Sequence, residues 1–110
     1  MFINEIDVGE LVSMMEDKPD SLQIIDVRSA QEVTQGSIPS AENIPMVTIP
    51  LRVEDISEDK DIILICRSGA RSGQACAWLQ QNGRTKVTNL RGGVIAWARS
   101  GLQFDLPKSA

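Results

Sequence analysis

The 110-residue chain contains no histidine. That absence removes a cysteine–histidine dyad of the protease kind and any zinc site that needs imidazole, and no metal site is expected. Tyrosine is missing too, two Trp and two Phe are the only aromatic residues, and the net charge is −4. With no Lys/Arg cluster either, a nucleic-acid partner is not expected. Cysteine is limited to Cys66 and Cys76. Two residues do not make a disulfide framework, so the expectation is a pair of free thiols in a reducing compartment. No apolar run approaches the length that crosses a bilayer, and no membrane partner is expected. The opening MFINEIDVGE brings acid early and no basic stretch, which argues against a signal peptide and for a cytoplasmic address. Acid itself becomes scarce beyond residue 61. Residues 1–61 hold 14 acids and 4 bases, net −10, whereas residues 62–110 hold 7 bases and the single acid Asp105, net +6. Either this asymmetry is solvated surface, or the cysteine-bearing half offers a positive field to an anionic ligand.

The length and the 42% hydrophobic content suit one domain over residues 1–110 with a single core. Asp7 and Glu10 form a capping box ahead of Val8, Leu11, Val12 and Met15 at helical spacing. LQIIDV (22–27) reads as a strand, and Ser29 with Glu32 gives a second capping box for a short helix that Gly36 ends. The segment 36–45, GSIPSAENIP, reads as a loop with one extended piece near residues 42–44. Residues 51–56 suggest a helical turn. The continuous apolar run IILIC (62–66) predicts a strand buried on both faces. A helix is expected over 70–82, with Ala75, Trp78 and Leu79 facing the core and Gly83 as its stop. A further strand follows over 86–90, and Gly92-Gly93 opens a last helix that Gly101 ends. The tail 103–110 is expected to be loosely ordered. Strands alternating with helices predict a three-layer α/β/α sandwich with a mostly parallel sheet.

The chemistry concentrates in CRSGARS (66–72). Ligands of open parallel sheets sit beyond the carboxyl ends of the strands, and Cys66 closes the strand IILIC. Short Gly-, Ser- and Ala-rich loops can turn successive backbone N–H groups toward one centre, and the following helix adds unpaired donors and the positive end of its dipole. A thiol in that setting ionises below its free value of about 8.5. The competing reading of Cys66 is a small, inert buried residue. Cys76, among Ala75, Ala77 and Trp78 in the predicted helix, reads as a space-filler.

At CRSGARS the chain resembles the rhodanese family of sulfurtransferases, which carry a sulfane sulfur as a cysteine persulfide. The resemblance extends over IIDVRSAQE (24–32), similar to the family's Asp-x-Arg at a strand end. It also takes in GSIPSAENIP, similar to Gly-His-Ile-Pro-Gly-Ala-x-Asn-Ile-Pro, and NLRGGVIAW (89–97), similar to the closing Leu-x-Gly-Gly-x-x-x-Trp. The resemblance implies a rhodanese-like fold in which Cys66 bears the persulfide. It makes Arg67, Ser68, Gly69, Ala70 and Arg71, with Ser72 behind them, the cradle that binds substrate. Arg67 and Arg71 become candidates for gripping an anionic donor such as thiosulfate. Asp26 and Arg28 are expected to brace the strand end, with ordinary surface pairing as the alternative. Trp97 and Gly92-Gly93 are expected to serve packing and a turn. The acceptor implied is cyanide, a thiol or a sulfur-carrier protein, and no cofactor is called for. Two positions depart from the pattern: Ser37 stands where the family usually has His, and Ser40 where it often has Gly.

Two rivals stand beside this reading. One is a non-catalytic redox-sensing or interaction domain of the same fold. The other is a small cysteine-dependent phosphatase or arsenate reductase. Such enzymes place five residues between Cys and Arg, whereas here four residues, 67–70, separate Cys66 from Arg71. The longer spacing would fall on Ser72, which has no guanidinium to clamp a tetrahedral anion.

Overall fold

Both predicted capping boxes form. The Asp7 carboxylate accepts the Glu10 N–H at 2.8 Å and Glu10 accepts the Asp7 N–H at 3.2 Å, opening helix α1 (Val8–Asp17). Ser29 and Glu32 do the same for the single turn α2 (Ala30–Val33). In the computed structural model, which describes residues 2–106, five strands make one sheet: β1 (Glu5–Ile6), β2 (Leu22–Asp26), β3 (Glu42–Asn43), β4 (Asp61–Ile65) and β5 (Val87–Leu90). Their order is β1-β5-β4-β2-β3, and every pairing is parallel. Helices α3 (Ala70–Gln81) and α4 (Gly93–Arg99) complete the chain, with 3₁₀ turns over Pro19–Ser21, Met46–Leu51 and Val53–Asp55.

The apolar run of β4 is divided between two cores by strand alternation. Ile62, Leu64 and Cys66 join Ile25, Val27 and the α3 residues Ala75, Cys76 and Leu79 on one face. Ile63 and Ile65 join Leu11, Ile24, Val94 and Trp97, from α1, β2 and α4, on the other. The sheet is therefore covered on both faces, which makes the three-layer α/β/α sandwich expected from the sequence. In α3, Cys76 is fully buried with Leu79, while Trp78 is only partly buried at the core's edge.

Three further expectations change. The strand expected over 62–66 ends at Ile65, so that Cys66 is the first residue beyond it. The turn expected over 51–56 divides, and a longer 3₁₀ segment precedes it at Met46–Leu51. Over 103–106 the tail is tied down: Asp105 exchanges two backbone hydrogen bonds with Ser37, both 2.9 Å, and the Trp97 indole donates to the Gln103 carbonyl at 3.0 Å. The rest of the tail, 107–110, lies outside the described residues. No helix among the described residues is long and apolar enough to cross a membrane.

Candidate active site

The loop from Cys66 to the start of α3 is shaped from behind by α4. The Val94 and Ile95 N–H groups donate to the Cys66 and Arg67 carbonyls at 2.9 and 3.1 Å. A trans peptide points its C=O and N–H in opposite directions. Pinning those two carbonyls against α4 therefore turns the N–H groups of Arg67 and Ser68 the other way, into the loop. The approach is so close that a Cβ on Gly93 would overlap the Cys66 oxygen and lie 2.6 Å from the Arg67 oxygen. Gly93 also has a φ of +56°. The Gly-Gly pair, expected from sequence to make a turn, is what lets a helix N-terminus grip the loop.

Inside the loop, Cys66 Sγ accepts the Gly69 N–H at 3.0 Å and lies 3.3 Å from the Ser72 hydroxyl. Gly69, at φ +104°, is the N-cap of α3, so the sulfur meets the unpaired first turn of a twelve-residue helix. Burial pushes the Cys66 thiol up. It is outweighed by hydrogen bonds from the Ser72 side chain and from the backbone of Ser72, Gly69 and Ser68, which leave the thiol below its ordinary value. Cys76, fully buried on α3, is pushed up to about 12 by desolvation and by the charges of Glu5 and Cys66, which leaves it a neutral thiol.

Arg67, Ser68 and Ala70 lie on the rim of the loop, and Ser72 is fully buried at its base. The two loop arginines differ. Arg71 is held in a bidentate pair with Glu32, at 2.7 and 2.8 Å. Arg67, exposed and next to Cys66 in sequence, makes no side-chain hydrogen bond or salt bridge among the described residues, whereas the Arg71 charge is coupled to Cys66 from within its pair with Glu32. The Arg71 pair holds the Glu32 carboxyl down at about 2, burial working against it and the Ser29 cap with it.

Asp26 and Arg28 are a buried pair at the end of β2, with 1% and 7% of their side chains exposed. Arg28 donates to both Asp26 oxygens, the shortest contact being 2.7 Å, and to the Gly36 carbonyl at 2.7 Å. Ser37 donates to Asp26 at 2.6 Å. The residue that departs from the family pattern thus caps the Asp26 carboxylate. Sequence reasoning did not single out Asn89, which is 3% exposed. Its Oδ1 takes the Ser72 hydroxyl, while its Nδ2 donates to the Gly69 carbonyl at 3.1 Å and to Glu5 at 3.0 Å. An amide side chain between Val87 and Leu90 in the short strand VTNL, two places from Val87 and so on its face, was the available signal.

Residues 7–100 match the rhodanese-like domain family. The chain is 49% identical to a protein named sulfurtransferase from Allochromatium vinosum, over 96% of this chain and 98% of that one. It is 38% identical to a tRNA uridine(34) hydroxylase from Citrobacter koseri, where the match spans 92% of this chain but 32% of the relative. Among solved structures, a rhodanese-like domain protein from Staphylococcus aureus superposes with a TM-score of 0.82 at 35% identity, covering 94% of this chain and 99% of the other.

Proposed function

The chain belongs to the rhodanese-like sulfurtransferase family, and on that premise we propose that Cys66 carries a sulfane sulfur from thiosulfate, or another persulfide or polysulfide donor, to a thiophilic acceptor. The observation that carries the reading is the Cys66 sulfur at the mouth of a parallel sheet, receiving Gly69 N–H at 3.0 Å, in a loop whose carbonyls are pinned outward. The reaction is a ping-pong pair of displacements. The Cys66 thiolate attacks the outer sulfur of thiosulfate, the S–S bond breaks, and its electron pair leaves with sulfite. The acceptor, which is cyanide, a thiol or a sulfur-carrier protein, then attacks the outer sulfur of the persulfide, and Cys66 leaves as thiolate.

The protein's part is electrostatic. The inward N–H groups of Arg67, Ser68 and Gly69, with the first turn of α3, stabilise charge on the entering and departing sulfur. Ser72 and Ala70 complete the cradle. Arg67 meets the anionic donor. Arg71 fixes the loop to α2 through Glu32 and contributes its charge from there, and Asp26 and Arg28 brace the adjacent strand end. The site needs no cofactor in this reading, and two unpaired thiols suit a cytoplasmic setting.

The test is intact-protein mass after incubation with thiosulfate and desalting. Wild type and Cys76→Ser are expected to gain one sulfur atom that cyanide removes, and Cys66→Ser is expected to gain none. A Cys66→Ser protein that still loads and turns over sulfur would overturn the reading.

A further inference from the structure

Ser72 has one hydroxyl proton and two acceptors within reach: Cys66 Sγ at 3.3 Å and Asn89 Oδ1. The Asn89 amide cannot turn over without loss. Its Nδ2 already faces two acceptors, the Gly69 carbonyl and Glu5, so Oδ1 is the end that must face Ser72. Ser72 and Asn89 are buried, and the Ser72 hydroxyl is the one donor to that oxygen among the described residues. We propose that Asn89 is a positioning residue for Cys66: it competes with the sulfur for the Ser72 proton, so that ionising the thiol and turning the hydroxyl are one coupled event.

The protonated thiol donates to Ser72 Oγ, which donates onward to Asn89, and every partner is satisfied. When Cys66 loses its proton, the hydroxyl swings to the anionic sulfur and the buried Asn89 oxygen is left without a donor. Asn89 therefore opposes ionisation, whereas Gly69, whose carbonyl Asn89 holds, promotes it through its N–H. The inference deepens the sulfur-carrier reading and rests on it for one consequence. In a persulfide the inner sulfur carries no charge, so the Ser72 proton returns to Asn89 and the loaded form is favoured over the bare thiolate. The other ionisable groups around this site are Arg71, coupled to Cys66, and the neutral thiol of Cys76 on α3, Glu5 on β1 against Asn89, Asp26 and Arg28 at the end of β2, Arg67 in the loop, and Glu32 paired with Arg71. All are common to the comparison below and cancel in it.

The experiment is a double-mutant cycle of Ser72→Ala and Asn89→Leu, reading the rate of Cys66 alkylation by iodoacetamide against pH in a Cys76→Ser background, with no sulfur donor present. Losses that Asn89→Leu causes at Gly69 and Glu5 appear both with Ser72 intact and in the Ser72→Ala background. The expected result is that Asn89→Leu shifts the ionisation midpoint about half to one unit further downward when Ser72 is present, or ~3–10-fold more thiolate below the midpoint. Equal shifts in the two backgrounds, or a coupling of opposite sign, would overturn the proposal. With Ser72 and Asn89 unaltered there is a second readout: the Asn89 side-chain amide resonances should titrate at the Cys66 midpoint and stay flat in Cys66→Ser. Flat resonances with Cys66 intact would also overturn it. Because no sulfur is transferred, this outcome is independent of whether thiosulfate loads the protein.

Discussion

At the scale of single residues, Gly93 carries more than its place in a turn suggests. Any side chain there meets the Cys66 and Arg67 carbonyls and must also adopt a left-handed backbone. The backbone alone costs about 1 kcal/mol, and the overlap can be relieved only by moving α4 away from the loop. Gly93→Ala is expected to lose about 2–4 kcal/mol of stability by chemical denaturation and to raise the midpoint of Cys66 alkylation, because the freed carbonyls no longer hold the N–H groups inward. A variant that is destabilised yet keeps the wild-type midpoint would show that α4 does not shape the loop. Cys66 and its loop were legible because their chemistry is contiguous in sequence. Asn89 was not, since its partners Ser72 and Glu5 lie 17 and 84 residues away. The Asp26–Arg28 pair was legible as a pair, but its burial and its third partner Ser37, 11 residues from Asp26, required the fold.

At the scale of elements, Glu32 has two duties that local reading could only half see. It closes the cap of α2 and grips Arg71 at the start of α3 with the same carboxylate. The folded protein holds this group at about 2, against an ordinary value of 4.5. The unfolded chain therefore binds the proton more readily across that window, and stability from this group is complete above about 4.5 and lost as pH falls toward 2. Glu32→Gln keeps a capping side chain and removes the charge. Its stability is expected to vary less between pH 5 and pH 2 than that of wild type, as measured by denaturation at fixed pH; parallel curves would mean the pair contributes nothing to that slope. Elements built from local signals, the capping boxes and the β-branched runs, were readable from sequence. The two-residue edge strand β1 was not, because its hydrogen bonds run to Asn89 and Arg91 and two residues carry no alternation. The docking of Asp105 on Ser37 was hidden for the same reason.

At the scale of the whole molecule, the opposite charges of the two halves are partly spent on each other. Arg71, Arg84 and Arg91 from the basic half pair with Glu32, Glu58 and Glu5 of the acidic half, and Lys86 donates to the Asp59 carbonyl. These pairs tie the two halves together and leave a smaller field than +6 suggests. Among the described residues of the loop, the charge left without a partner is that of Arg67, the exposed neighbour of Cys66 in sequence. If thiosulfate is the donor, its capture should depend on that one guanidinium and be screened as the Debye length contracts from about 10 Å at 0.1 M salt to about 3 Å at 1 M. We expect the KM for thiosulfate to rise with ionic strength in wild type. In Arg67→Ala it should be several-fold higher at low salt and nearly insensitive to added salt, with kcat changed less than KM. Arg71→Ala should behave differently: freeing Glu32 and the loop should lower kcat and leave most of the salt dependence in place. If Arg71→Ala rather than Arg67→Ala abolished the salt dependence, the assignment of the two arginines would be reversed, and the Glu32 pair would have to open whenever the donor binds.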